Sequence, residues 1–509
     1  MSQVRVSPNV DWSGDLLAVG LFKDRLDAPN AILDPKLLQE LIQETDFKGK
    51  PGTSSCIRLG GAGSKVKRVA LLGLGESDKA TPSTFRQAAQ QLGIIARDTK
   101  STHVAFSVNV PSDQSQGGII VQSIVEGALS SNHKDVRFRS DRRAETTGLD
   151  AAKANSLKEI TILGVPETFT SSVDKGRLIA QGLIAAKELI NAPANEVTPE
   201  ALADFAKRIQ ASKPSAFELK VLEKEDCEKL GMGLFLSVNA GSSRPSKFIH
   251  LVYRSASPSQ TSTKKVAFIG KGVCFDSGGY NLKVGEAKIH IMKYDMAGAA
   301  AVLGAAHVLA LLPEGPQGLE IHFIVAACEN MVGPEATHPG DILAASDGTT
   351  VEIENTDAEG RLTLADAILY AKSQGVSHII DLATLTGACI VALGDDIAGL
   401  FANSDQFAEQ VATAAKEVGE KVWRLPIEEA YFRNLESMHA DMKNTGVRAG
   451  GAITAALFLK QFADGCDWVH LDIAGPAWKD KGDKAHPAGA TAFGARTILQ
   501  WAFNQSTPS

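Results

Sequence analysis

Four carboxylates and three cations in the second half of the chain are the residues best placed to do chemistry together. The segment GKGVCFDSGGYNLK, 270–283, sets Lys271 and Lys283 on either side of Asp276. The next, IMKYDMAGAAAVLGAA, places Asp295 at the mouth of an expected helix, where its carboxylate can face the ends of neighbouring strands. The third, VEIENTDAEGRL at 351–362, carries Asp357, Glu359 and Arg361 at alternate positions. A backbone that stayed extended there would point all three to one face. Carboxylates gathered in this way repel one another unless cations neutralise them, and a metal cluster is the economical reason for collecting them. Oxygen ligands suit Mg and Mn and Zn also accepts carboxylates, so the donor type leaves the metal open. There is no HExxH, and none of the eleven histidines has paired ligand spacing, which disfavours a single-zinc protease of that kind.

Strands must present these segments. Four apolar runs, 266–269, 321–327, 378–383 and 468–473, read as buried, largely parallel strands. In an open α/β sheet ligands collect beyond the carboxyl ends of the strands, so the polar and glycine-rich sequence after each run is where chemistry belongs. The first part of the chain also alternates, with strands expected at 16–22, 68–72, 103–108 and 159–163 and helices at 82–98 and 117–130. A chain of 509 residues exceeds one ordinary core. The expectation is therefore an α/β protein of two domains: a smaller N-terminal α/β domain at 1–172, a linker helix and boundary at 173–197, and a larger catalytic domain at 198–509. The larger domain is expected to have a mostly parallel central sheet that carries the metal site. The boundary falls where a helical apolar pattern gives way to NAPANEVTP, whose Pro193 and Pro199 oppose helix continuation. Thr198 then reads as the N-cap of a new helix with proline in its first turn.

The same segments resemble the leucyl aminopeptidase family, the M17 metallopeptidases. NTDAEGRL (355–362) and GKGVCFDSGGYNLK are two long signatures of that family, supported by NAPANEVTP, ATLTGA, DMKNTGVRAGGAITAALFL and HLDIAGPA. The likeness covers essentially the whole second domain; the first resembles the family only in length and βα character. It implies that Lys271, Asp276, Asp295, Asp357 and Glu359 bind two divalent ions (Zn or Mn, or Mg), with Asp276 and Glu359 shared between them. Lys283 and Arg361 are implied as the catalytic pair, the arginine holding a bicarbonate ion that serves as general base and the lysine polarising the scissile carbonyl. Two such ions can activate one water and stabilise the oxyanion formed by its attack, while one holds the substrate's free amine. Lys271 can ligate only as a neutral amine, so a nearby cation must depress its pKa.

The family's first specificity pocket maps to Met292, Thr384, Gly387, Ala474 and Ala477. These are small or apolar and favour uncharged N-terminal residues such as Leu and Met. The resemblance thus implies an aminopeptidase acting on peptides, assembled as a homohexamer of two trimers. Two departures bear on the pocket rim rather than on the ligands: DMAG at 295–298 has alanine where many relatives have a second glycine, and the interval from Lys283 to Asp295 is one residue longer than in some members. Another two-metal hydrolase such as a phosphoesterase, or a scaffold or chaperone role for the same fold, stands as the alternative.

Bulk properties narrow the partners. The hydrophobic fraction of 44% and charged fraction of 22% suit a globular chain, and 52 basic against 59 acidic residues give −7, which works against nucleic-acid phosphates. The apolar run 297–312 contains Gly298, Gly304 and His307 and reads as a buried helix rather than a membrane span. Neither a nucleic acid nor a membrane is expected as a partner. Six dispersed cysteines without a CxxC read as free, mostly buried thiols of a reducing compartment. The N-terminal residues carry no secretory or transit character, so the expected location is the cytoplasm, or a plastid for a chain whose transit peptide has been removed. Other suggestive residues have plainer readings: VALLGLGE at 69–76 as a strand and tight turn rather than a dinucleotide loop, Cys274 as a buried thiol, and His338, His470 and His486 as structural histidines.

Overall fold

The computed structural model describes residues 2–26, 32–59, 64–140, 157–255, 264–482 and 487–506; His486 lies outside them. The chain divides into two compact units, Met1–Ile184 with Asp480–Gly489, and Ala185–Lys479 with Ala490–Ser509. The division falls inside one helix, Thr170–Asn191.

The first unit is built on strands β1 (Gln3–Ser7), β2 (Gly14–Phe22), β3 (Ser54–Arg58), β4 (Val66–Gly75), β5 (His103–Ser107) and β6 (Glu159–Leu163). They form one sheet in the order β1-β6-β5-β2-β4-β3, parallel throughout except for β3 against β4. Period-two alternation buries both faces of β2. Leu16 and Ala18 join a core with Phe85, Leu92, Val121 and Ile124 of the helices Pro82–Asp98 and Gln114–Asn132. Leu17 and Val19 join Leu38 and Leu41 of the helix Pro35–Glu44 on the other face. The sequence VALLGLG does not turn early: β4 continues to Gly75, where a positive φ of 78° ends it.

The second unit contains β7 (Phe217–Leu222), β8 (Lys247–Arg254), β9 (Lys264–Asp276), β10 (Leu319–Asn330), β11 (Ile342–Ala344), β12 (Thr350–Glu352), β13 (His378–Ala383), β14 (Ile397–Ala402), β15 (Lys421–Arg424), β16 (Met442–Lys443) and β17 (Asp467–Asp472). Eight of them form a sheet in the order β15-β14-β17-β13-β9-β10-β8-β7. Its centre, β17-β13-β9-β10, is parallel, and these are the four apolar runs of the sequence. β8 pairs antiparallel with β10, β7 with β8 and β14 with β17.

Helices cover the central strands on both faces. Ala267, Ile269 and Val273 of β9 lie in a core with Leu362 and Ile368 of the helix Gly360–Ser373 and Phe458 of the helix Gly451–Phe462. Gly270, on the alternate set, meets the buried helix Ala297–Leu311. A Cβ on Gly270 would lie 2.6 Å from Ala299 Cα, and one on Gly298 would lie 2.0 Å from Leu382 O. Thr198 caps the helix Pro199–Ser212 as its sequence predicts, accepting from Ala201 N at 3.2 Å.

The segment from Asp357 to Arg361 does not stay extended: β12 stops at Glu352, a turn follows, and the helix Gly360–Ser373 begins with Glu359 as its N-cap. Alternate spacing is therefore not what gathers Asp357, Glu359 and Arg361; a loop running into a helix does this.

Candidate functional site

Lys271 and Asp276 project from the carboxyl half of β9, and the loop after it delivers Lys283. Asp295 closes the 3-10 turn Ile289–Tyr294 ahead of the helix Ala297–Leu311. Asp357 and Glu359 come from the loop after β12. The structure brings these six together. Carboxylate oxygens of Asp276, Asp295 and Glu359 all lie within 4.8 Å of one another, and all three residues are buried. Lys271 Nζ stands 2.8 Å from Asp295 Oδ2, 2.8 Å from Glu359 Oε1 and donates to Thr384 O at 3.0 Å. Lys283 Nζ lies 2.8 Å from Asp276 Oδ2 and also pairs with Asp357. Each lysine thus bridges two carboxylates, and they share none.

Hydrogen bonds fix the loops that carry the candidate ligands. Asp276 Oδ1 accepts from Gly278 N at 2.9 Å and Asn330 Nδ2 at 2.8 Å. Thr356 ties the two loops together, donating its hydroxyl to Gly278 O at 2.7 Å while Asn281 Oδ1 accepts from Thr356 N at 2.9 Å. Asn444 clamps the loop from behind: its Oδ1 accepts from Glu354 N and Asn355 N, and its Nδ2 donates to Asn355 O at 2.6 Å. Arg361 is buried in the first turn of the helix and donates from Nη1 to Asn444 O at 2.7 Å; its Nε has no partner among the described residues.

The electrostatics are those of a site short of positive charge. Burial lifts Asp295 well above the usual carboxylate range and, with Glu359 beside it, lifts Asp276 as well. Burial and the neighbouring Asp276 push Asp357 up to about 6. Glu359 goes the other way, since Lys271 and Lys283 outweigh its burial. Burial disfavours the charge on Lys271, but Asp295, Glu359 and Asp276 outweigh it and hold the ammonium well above its ordinary range. Lys283 is raised in the same manner by Asp276, Glu359 and Asp357. Burial brings Arg361 down to about 10.

These residues fit divalent cations. Glu359 Oε2 is buried with no partner among the described residues, while Asp295 Oδ2 and Glu359 Oε1 face Lys271 without a well-aligned hydrogen bond. Orphaned buried carboxylate oxygens are costly unless something positive completes them. The donors are hard oxygens and one amine, a set that accepts Zn, Mn or Mg.

Sequence reasoning did not single out Asp472, which lies at the end of β17 and organises the neighbouring surface. Its buried carboxylate accepts from Leu385 N at 3.2 Å, Thr386 N at 3.4 Å, Thr386 Oγ1 at 2.6 Å and Ala474 N at 3.2 Å. The only sign of it was its place within HLDIAGPA. Asp472 links Ala474 to the segment holding Thr384 and Gly387, and Thr384 Oγ1 reaches Asp295 Oδ1 at 2.7 Å. Met292 is joined through the chain, its carbonyl accepting from Asp295 N at 3.2 Å. Ala477 is 1% exposed and donates its N–H to Ile473 O at 3.0 Å, next to Ala474 in the chain. Of the remaining candidates, Cys274 is a buried free thiol, His338 stacks on Tyr280, and His470 Nδ1 donates to Asp381 Oδ1 at 2.5 Å rather than to Asp472. All six cysteines are free; Cys56 is exposed and Cys466 half-buried, the other four buried.

An α/β chain that gathers carboxylates and lysines at the carboxyl edge of a parallel sheet has the build of a metal-dependent hydrolase. Residues 184–499 match the catalytic domain of the cytosol aminopeptidase family, and residues 18–142 match the N-terminal domain of the same family. A probable cytosol aminopeptidase of Acaryochloris marina is 48% identical over 96% of this chain and 97% of its own length; one from a Cyanothece strain is 47% identical over the same shares. Among solved structures, a mutant of tomato leucine aminopeptidase superposes with a TM-score of 0.87 at 38% identity, covering 99% of this chain and 97% of that one. The chain belongs to the cytosol aminopeptidase family, the metal-dependent M17 exopeptidases, and is a peptidase.

Proposed function

We propose that this peptidase releases Leu, Met and other uncharged residues from the free N-terminus of peptides, using two divalent ions held by Lys271, Asp276, Asp295, Asp357 and Glu359. The observation that carries the reading is the close approach of the Asp276, Asp295 and Glu359 oxygens around a partnerless buried Glu359 Oε2. Zn or Mn, or Mg, suits these donors. When bound, such ions supply Lewis acidity toward the scissile carbonyl and a water activated at neutral pH.

The chain's own groups do the rest. Lys283, held charged by Asp276 and Asp357, is a cation that can face the developing oxyanion. Arg361 has a free Nε and its position fixed by Asn444, which suits it to hold a small anion such as bicarbonate as general base. Lys271 serves as a neutral ligand. Met292, Thr384, Gly387, Ala474 and Ala477 form the pocket for the N-terminal side chain, where a substrate carboxylate would be desolvated without a partner. The enzyme works in the cytoplasm, or in a plastid, as a homohexamer of two trimers, which light scattering on the purified chain would measure.

Rates on Leu, Met, Asp and Glu peptides, free and N-acetylated, test the reading. Fast cleavage of free Leu and Met peptides, loss of activity with a chelator and its return with Mn or Zn are expected. Equal rates on acetylated peptides, or release of phosphate from an aryl phosphate in place of an amino acid, would overturn it.

A further inference from the structure

A cavity of about 290 Å³ opens in the second unit where β9 and β10 begin. Lys265 and Glu320 on its wall are near the starts of those strands. At ~3.3 Å per residue the cavity lies about 20 Å along β9 from Lys271. It has no residue in common with the carboxylate cluster.

Its floor is a buried hydrogen-bonded chain whose proton positions can be assigned. Glu320 is ionised: burial opposes this, but Arg254 at 2.9 Å and Lys265 at 3.3 Å hold the carboxyl below its usual range. It therefore accepts from His322 Nε2 at 3.0 Å. Burial keeps both imidazoles neutral, with His250 brought down to about 3. His322 Nδ1 is then the acceptor for His250 Nε2 at 2.8 Å, and His250 Nδ1 accepts the Tyr370 hydroxyl proton at 3.1 Å. Every polar hydrogen of the floor is committed, so Tyr370 offers the cavity only oxygen lone pairs.

The rim is not balanced in the same way. Arg254 is taken up by Glu218 at 2.7 Å and Glu320 at 2.9 Å. Lys220, an exposed residue, has no carboxylate or hydrogen-bond partner among the described residues and lines the same cavity as Tyr370 and Glu218. A ligand matched to this surface carries an anionic and a cationic group close together, and a free α-amino acid is the smallest common molecule that does.

We propose that this cavity is a binding site for free α-amino acids, separate from the catalytic cluster, in which Lys220 takes the carboxylate and Tyr370 and Glu218 take the ammonium. Tyr370 and Arg361 belong to one helix, Gly360–Ser373. Equilibrium dialysis of radiolabelled L-leucine against the metal-loaded full chain tests the proposal. Wild type is expected to hold one leucine that depends on Lys220; Lys220→Glu, at an exposed position, should weaken that site by at least about tenfold, and Tyr370→Phe should weaken it less. Neither N-acetyl-leucine nor leucinamide should displace this leucine. The proposal falls if binding is the same in Lys220→Glu and wild type, and it falls as an amino-acid site if N-acetyl-leucine competes as well as leucine does. The count does not depend on turnover, so it stands or falls apart from the exopeptidase reading.

Discussion

Lys271 Nζ stands 2.8 Å from Glu359 Oε1, whereas Lys283 pairs with Asp276 and Asp357 and not with Glu359. This division separates two roles for lysine. Lys271→Arg keeps a cation that cannot give up its proton, and it should lose or disorder one metal. Lys283→Ala should keep both metals and bind substrate while kcat falls by about 10²–10³. Metal analysis and kcat on both variants decide; metal loss from Lys283→Ala with full loading in Lys271→Arg would reverse the assignment.

Metal loading should release protons. Without cations, Lys271 is held charged and Asp295 protonated well beyond their ordinary behaviour, and Asp357 titrates at about 6. Ligation needs the deprotonated form of each, so apparent affinity rises with pH, and a further proton is expelled from Asp357 below about pH 6. Calorimetry in two buffers of different ionisation enthalpy at pH 7.5 should show at least one proton released per chain, and fewer with Lys271→Gln. Loading without proton release would contradict the neutral-amine role.

Gly360→Ala separates helix stability from site geometry. Alanine is favoured over glycine within a helix by ~1 kcal/mol, yet a Cβ here would lie 2.6 Å from Lys271 Nζ and Cε. The variant should keep its circular dichroism spectrum and lose metal affinity. Unchanged metal content would show that Lys271 can move aside at no cost.

Asp472→Asn tests positioning. It replaces a carboxylate that accepts four hydrogen bonds and holds Leu385, Thr386 and Ala474. With the metals retained, kcat/KM on leucyl substrates should fall about tenfold, mainly through KM, as expected when ground and transition states lose the same contact. A change in kcat alone would place Asp472 nearer the chemistry.

The parallel centre of the larger sheet was legible because strands buried on both faces spell continuous apolar runs. β7, at the sheet edge, has alternating exposed residues, and β14 is interrupted by Gly399, so neither stood out. The ligand candidates were legible as residue types, but their arrangement was not. The alternate carboxylates of NTDAEGRL would share a face only on an extended backbone, and the interactions that bend it come from Asn281 and Asn444, distant in sequence. Asp472 was hidden for the same reason, since its four donors lie mostly in another segment.

The close approach of Gly270 and Gly298 to neighbouring backbone makes one side of the catalytic cluster a fixed jaw. Lys271 follows the first glycine and Asp295 shortly precedes the second, so main-chain contact, not side-chain packing, gauges the interval between them. Substitutions elsewhere in the apolar core can repack without resetting that interval. Asp357 and Glu359 sit instead on a loop held by the side chains of Asn444 and Thr356. This second jaw is gauged by side-chain hydrogen bonds rather than by main-chain contact.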